Sequence, residues 1–133
     1  MDLKNTVKMG QDTVADALNM IRNAQVTRKK TIRVKIVSEL LLKILKIMKS
    51  YGAIKNYKIL KGRGVEINLG ELIDCKAIKP RFNVKVSGIE KYMRRYLPAR
   101  GMGVIIVSTN EGLLTHEEAL EKGKGGSLIA YFY

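Results

Sequence analysis

Apolar positions recur along this chain with two periods, near 3.6 and near 2, and the switching between them predicts an α+β fold. In residues 12–25, Val14, Leu18 and Ile21 follow i, i+4, i+7 spacing, with Ala17 and Ala24 widening the stripe. That is one face of a helix, and Asp12 or Thr13 is placed to cap its start. Residues 26–30 are polar and basic. Residues 31–37 alternate β-branched side chains with Arg33 and Lys35, as a half-buried strand does. Ser38 then heads a second helix that Gly52 stops; Leu41, Ile44, Leu45 and Met48 line its apolar side, and Lys43, Lys46 and Lys49 read as a solvated side.

Residues 53–60 and 65–69 read as a hairpin around Lys61-Gly62-Arg63-Gly64. A boundary is expected within residues 70–74. Beyond it, residues 73–78 and 82–86 are expected as two strands separated by Lys79-Pro80-Arg81, and residues 89–96 as a helix ended by Leu97-Pro98. The apolar run Gly103-Val104-Ile105-Ile106-Val107 is short enough for a buried strand. Thr115 and Glu118 have capping-box spacing for a short helix, and residues 127–133 close as a strand after Gly123-Lys124-Gly125-Gly126. The length allows one compact domain or two small lobes, and this boundary would divide residues 1–70, a basic helix-strand-helix-hairpin segment, from residues 71–133, mostly β with short helices.

Charge turns this pattern towards a partner. The 133 residues carry 25 Lys and Arg against 12 Asp and Glu, a formal net charge of +13. Such an excess favours a polyanion, because Lys and Arg displace the counterions condensed on phosphates. It is uneven: residues 1–70 hold 15 basic against 5 acidic side chains, and residues 71–133 hold 10 against 7. The first lobe reads as the electrostatic collector. No apolar run reaches the roughly 18 residues of a membrane span, and residues 1–10 are polar, unlike a signal peptide. A single cysteine, Cys75, forms no internal disulfide and fits a reducing cytosol. Among strand-forming neighbours it reads as a small buried hydrophobe.

The chemistry concentrates at the end of the 103–107 run. Ser108 and Thr109 bring hydroxyls that donate and accept, Asn110 an amide that does both, and Gly112 a backbone free to turn. This set suits RNA where it departs from a regular A-form helix. The same residue types also build ordinary turns, and composition alone does not separate the two readings. Residues 123–126 could aim backbone N–H groups and Lys124 at phosphate, although the Lys-Ser/Thr ending of a P-loop is missing. Catalysis has little to stand on. Ser108 lacks a Gly-x-Ser-x-Gly elbow, and His116, at a helix start beside Glu117 and Glu118, reads as a surface histidine. One Cys and one His in different elements make no metal site, and no cofactor is expected. Glu111, Glu117, Glu118 and Glu121 read as the acidic dressing of a helix N-terminus.

Three separated segments carry a resemblance. Gly103-Val104-Ile105-Ile106-Val107-Ser108-Thr109-Asn110-Glu111-Gly112-Leu113-Leu114-Thr115-His116-Glu117-Glu118-Ala119 resembles the signature of the eighth protein of the small ribosomal subunit. Gly125-Gly126-Ser127-Leu128-Ile129-Ala130-Tyr131 resembles that family's closing strand, and residues 12–18 with Ile21-Arg22-Asn23-Ala24 resemble its N-terminal helix. Ile78-Lys79-Pro80-Arg81-Phe82 and Leu97-Pro98-Ala99-Arg100 are closer to the archaeal and eukaryotic branch than to the bacterial one.

The resemblance implies two packed α/β lobes. It also implies a non-enzymatic, cytoplasmic ribosomal protein that binds the central domain of small-subunit ribosomal RNA directly and helps to assemble the platform. Such a protein would be monomeric within the ribosome, beside neighbouring ribosomal proteins and away from membranes. The implied RNA contacts are Ser108, Thr109, Asn110 and Gly112, with Gly125, Gly126 and Ser127 from the closing strand. An N-terminal basic contact maps to Lys29 or Lys30. Bacterial members often carry Ser in place of Asn110 and Glu in place of Ser127. A basic RNA-modifying enzyme or a nucleic-acid chaperone is the alternative; turnover would mark the first and indiscriminate RNA binding the second.

Overall fold

A computed structural model describes residues 3–35, 37–61, 64–99 and 101–133, with side chains from Thr13 onward. The turn residues Gly62 and Arg63, the Arg100 of the Leu97-Pro98 segment, Met1, Asp2 and the expected Asp12 cap lie outside the described residues and side chains. The chain forms two compact units, Met1–Ile73 and Asp74–Tyr133.

In the first unit, helix α1 spans Leu3–Val26 and is longer than its apolar stripe. Thr13 is therefore a buried interior residue and not a cap. The stripe itself is inside: Val14, Ala17, Leu18, Ile21 and Ala24 are all buried. The helix ends without glycine. Arg28 takes a left-handed φ of 59°, its N–H donates to Gln25 O (3.2 Å), and the Lys29 N–H donates to Ala24 O (2.9 Å). This is a Schellman closure on a residue that carries a Cβ. Helix α2, Glu39–Ser50, starts where Ser38 Oγ accepts from the Leu41 N–H at 3.1 Å, and it buries Leu41, Ile44, Leu45 and Met48. Lys43, Lys46 and Lys49 lie off that buried side, and all three are exposed.

Strands β1 (Thr31–Val34), β2 (Ile54–Ile59) and β3 (Val65–Leu69) form an antiparallel sheet in the order β1-β3-β2. Its central strand shows the period-2 rule plainly. Val65, Ile67 and Leu69 are buried while Glu66 and Asn68 are only partly so. On β1, Arg33 Nε meets Glu66 Oε2 across the ladder at 3.3 Å.

The second unit is a four-stranded antiparallel sheet in the order β4-β7-β5-β6. Strand β4 is Cys75–Val84, β5 Val104–Thr109, β6 Gly112–Thr115 and β7 Gly126–Phe132. The sequence predicts two strands around Lys79-Pro80-Arg81; the chain instead makes one, with its register to β7 shifted between Ala77 and Phe82. Pro80 has no N–H to give, and it is tolerated because β4 is an edge strand. Helices α3 (Ile89–Tyr96) and α4 (His116–Lys122) supply Ile89 and Ala119 to a core completed by Ile78, Val84, Leu97, Ile105, Val107 and Leu128. The Thr115–Glu118 capping box is formed reciprocally, at 3.2 and 3.0 Å. Cys75 is fully buried, as its strand neighbours suggest.

Candidate nucleic-acid interface

The site begins with a register. Asn83 of β4 is the Cα partner of Ser127 on β7, Ser127 of Ser108 on β5, and Ser108 of Leu113 on β6. Directly opposed residues share a sheet face, so three short hydrogen-bonding side chains stand side by side. The next row, Phe82–Leu128–Val107–Leu114, faces the other way, and its Leu128 and Val107 belong to the core beneath α3 and α4. The polar row thus lies on the face away from those helices. Ser108 and Ser127 are half-buried and Asn83 is exposed.

At the end of that row the chain turns back between β5 and β6 through Asn110 and Glu111. Thr109 organises the turn: its Oγ1 donates to Gly112 O at 2.8 Å and accepts from the Glu111 N–H at 3.1 Å. The only proton of that hydroxyl is already committed, so Thr109 can offer a ligand one lone pair. Gly112 has φ +106°, a conformation that resists side chains. Asn110 is exposed at the tip.

Gly125 and Gly126 have a steric role. A Cβ on Gly126 would collide with the backbone of Ser108, and one on Gly125 with the Val84 carbonyl. Their absence of side chain lets β7 enter between β4 and β5 and bring Ser127 into line. The expected phosphate-binding turn is largely occupied. Gly123 and Lys124 donate their N–H groups to Leu120 O (3.2 Å) and Ala119 O (2.8 Å), closing α4. Lys124 Nζ lies 3.0 Å from Glu111 Oε2, and Lys122 Nζ lies 3.8 Å from Oε1. The hydrogen bond and charge of Lys124 hold the Glu111 carboxyl below its usual range.

His116 departs from its sequence-based placement at the surface. The ring is buried, and Nδ1 accepts from the Ile105 N–H at 3.1 Å. Burial holds its pKa below 6.5 against the opposing charge of Glu117. His116 is thus a neutral structural acceptor between α4 and β5. Among the described residues no cluster of His, Cys, Asp and Glu is suited to a metal ion, and no helix is long and apolar enough to cross a membrane.

Seven of the expected contacts, Ser108, Thr109, Asn110, Gly112, Gly125, Gly126 and Ser127, share this end of the second unit. Lys29 and Lys30 belong to the first unit, exposed between α1 and β1. Sequence reasoning missed Asn83. No motif singles it out, and only the β4–β7 register brings it beside Ser127.

The family model described as ribosomal protein S8 matches residues 12–133. A protein of Archaeoglobus fulgidus named small ribosomal subunit protein uS8 is 41% identical over 130 residues, covering 94% of this chain and 100% of that protein. The protein of the same name from Nanoarchaeum equitans is 44% identical over 129 residues, again covering 94% of this chain and 100% of its own length.

Proposed function

The chain belongs to the ribosomal protein S8 family, of the archaeal type, and from that premise we propose that it binds the central domain of small-subunit ribosomal RNA directly and helps to assemble the platform. Membership makes it a structural constituent of the small ribosomal subunit in the cytoplasm and not an enzyme, with ribosomal RNA and other ribosomal proteins as its partners. Our reading assigns discrimination to the lobe of residues 71–133 and long-range attraction to residues 1–70. It takes the protein as a single copy within the particle.

The observation that carries this reading is the cross-strand row Asn83–Ser127–Ser108, continued by the exposed Asn110. A sheet face presenting hydroxyls and amides at strand spacing can meet base edges and 2′-hydroxyls where a helix is widened or bulged. Gly112, Gly125 and Gly126 act on this row indirectly, by setting the turn and the strand approach. Thr109 holds Asn110 in place and offers one acceptor. Lys29 or Lys30 would neutralise phosphate, which positions RNA without reading it.

The test is filter binding of a central-domain ribosomal RNA fragment against a scrambled fragment of equal length, at several salt concentrations. Ser108→Ala combined with Ser127→Ala should weaken the cognate fragment roughly tenfold or more and leave the scrambled one nearly unchanged. Equal losses on both RNAs would remove the sheet row from recognition.

A further inference from the structure

The same unit carries a second surface, away from the polar row. Helix α3 lies on the opposite side of the sheet from Ser108, because Tyr96 stacks on Tyr131 at 5.1 Å and Ile89 joins Ile105 and Val107 in the core. Its outward side carries Lys91, Arg94 and Arg95 at i, i+3, i+4 spacing, which makes one ridge. None of the three, nor Glu90, takes part in an ion pair among the described residues. Two of them are held in place by rings: Lys91 Nζ lies 5.7 Å from the Tyr92 centroid and Arg95 Cζ 5.7 Å from that of Tyr96. Those tyrosines belong to a series of packed rings, Phe82–Tyr92–Tyr96–Tyr131–Tyr133, with neighbouring centroids 5.1 to 6.2 Å apart. The ridge therefore rests on a stiff support, and its cations are partly ordered before any ligand arrives.

Beside the ridge is an open cavity of about 460 Å³ lined by Glu90, Met93, Arg94, Leu97, Pro98 and Ala99. Its composition is specific. Met93, Leu97 and Pro98 offer apolar walls to a flat ring. Glu90 supplies a carboxylate, an acceptor only, and Arg94 is shared between the cavity and the ridge. An acidic protein segment would suit the cations but would bring like charge to Glu90. A nucleotide suits both, with phosphates on Lys91, Arg94 and Arg95 and a ring in the slot. A base bearing an exocyclic amino group gives Glu90 a donor, whereas the O4 of uracil confronts it with a second acceptor.

We propose that the α3 ridge and its cavity bind an unpaired nucleotide carrying an exocyclic amino group, cytosine, adenine or guanine and not uracil, as an RNA contact separate from the Ser108 row. The proposal rests on the reading of the chain as an RNA binder, and the two can fail independently.

The test uses the full chain and fluorescence anisotropy with short oligocytidylate and oligouridylate, beside the structured central-domain fragment. The wild type should prefer oligocytidylate by roughly fivefold. Glu90→Gln should erase most of that preference, since an amide both donates and accepts. Replacing Lys91, Arg94 and Arg95 with Gln should weaken both oligonucleotides and flatten their salt dependence. Ser108→Ala with Ser127→Ala should leave the oligonucleotide preference unchanged. None of the four α3 positions is buried, so these variants should keep the wild-type circular dichroism. A wild type that holds the structured fragment but does not distinguish the two oligonucleotides, or whose preference survives Glu90→Gln, overturns the α3 proposal alone. So does displacement of both oligonucleotides equally well by polyglutamate, which would assign the ridge to acidic protein. Preference on the oligonucleotides without selectivity for the structured fragment would instead overturn the Ser108 reading.

Discussion

Ser108 on β5 and Ser127 on β7 stand directly opposite one another, although 19 positions separate them in the sequence. Their hydroxyls are brought together by a close approach of two backbones that only the bare Gly126 allows. Recognition and packing are thus coupled at one point of the sheet. Gly126→Ala should destabilise the second unit by roughly 1–3 kcal/mol or more, as overpacking does, and should lower cognate RNA affinity in the fraction that remains folded. Urea unfolding monitored by circular dichroism reads the first effect. A Gly126→Ala protein of wild-type stability would mean that β7 does not approach Ser108 so closely.

Thr109 gives a prediction in which stability and affinity fall together. Its hydroxyl makes two hydrogen bonds inside the β5–β6 turn. Thr109→Ala should cost about 1–2 kcal/mol in unfolding free energy and also loosen the cognate complex, because Asn110 loses its support. Thr109→Ser keeps the hydroxyl and should restore most of both. If Thr109→Ala left stability untouched while affinity fell, its hydroxyl would be spent on RNA and not on the turn.

These two residues show where the sequence was readable. Period-2 alternation and capping chemistry are local, so β1, β3, the Ser38 cap and the Thr115–Glu118 box were all legible. The Ser108–Asn110 segment was legible too, as polar residues ending an apolar run. Partners across strands were not. Asn83 joined the row only through the β4–β7 register, and a Pro in mid-strand hid the continuity of β4 by imitating a break. The sequence pattern places His116 at the surface because a polar residue at a capped helix start usually faces water. Here the Ile105 N–H needed an acceptor, and the ring supplied it. The cavity beside α3 was also invisible, since its walls come from a helix side and the turn after it.

Lys29 and Lys30 should behave differently from the sheet row. Both are exposed on the connection after the Arg28 turn, outside the unit that carries the row. Lys29→Gln with Lys30→Gln should weaken cognate and scrambled RNA by similar factors. It should also reduce the slope of log affinity against log salt by roughly 0.7–0.9 for each phosphate no longer neutralised. Filter binding across a salt series checks this. A weakening confined to the cognate fragment would move these lysines from positioning to recognition.

The buried histidine sets a pH dependence with a definite sign. Burial favours neutral His116, whose Nδ1 must keep a lone pair for the Ile105 N–H, so its folded pKa lies below 6.5. The unfolded chain therefore takes up a proton more readily than the folded one. The stabilising effect of the neutral ring is complete above about pH 6.5, the ordinary histidine value. It is lost progressively as pH falls from there to the depressed folded pKa, below which no further loss comes from this group. Urea unfolding at steps from about pH 8 to about pH 5 should show this decline in the wild type. His116→Gln, with an amide in place of the titrating ring, should be less stable at neutral pH but flatter across the same range. The difference between the two curves isolates the ring from the carboxylates, which both proteins share. A wild-type curve that stays level or rises relative to His116→Gln as the solution is acidified would mean that the ring accepts its proton in the folded state and does not hold the Ile105 amide.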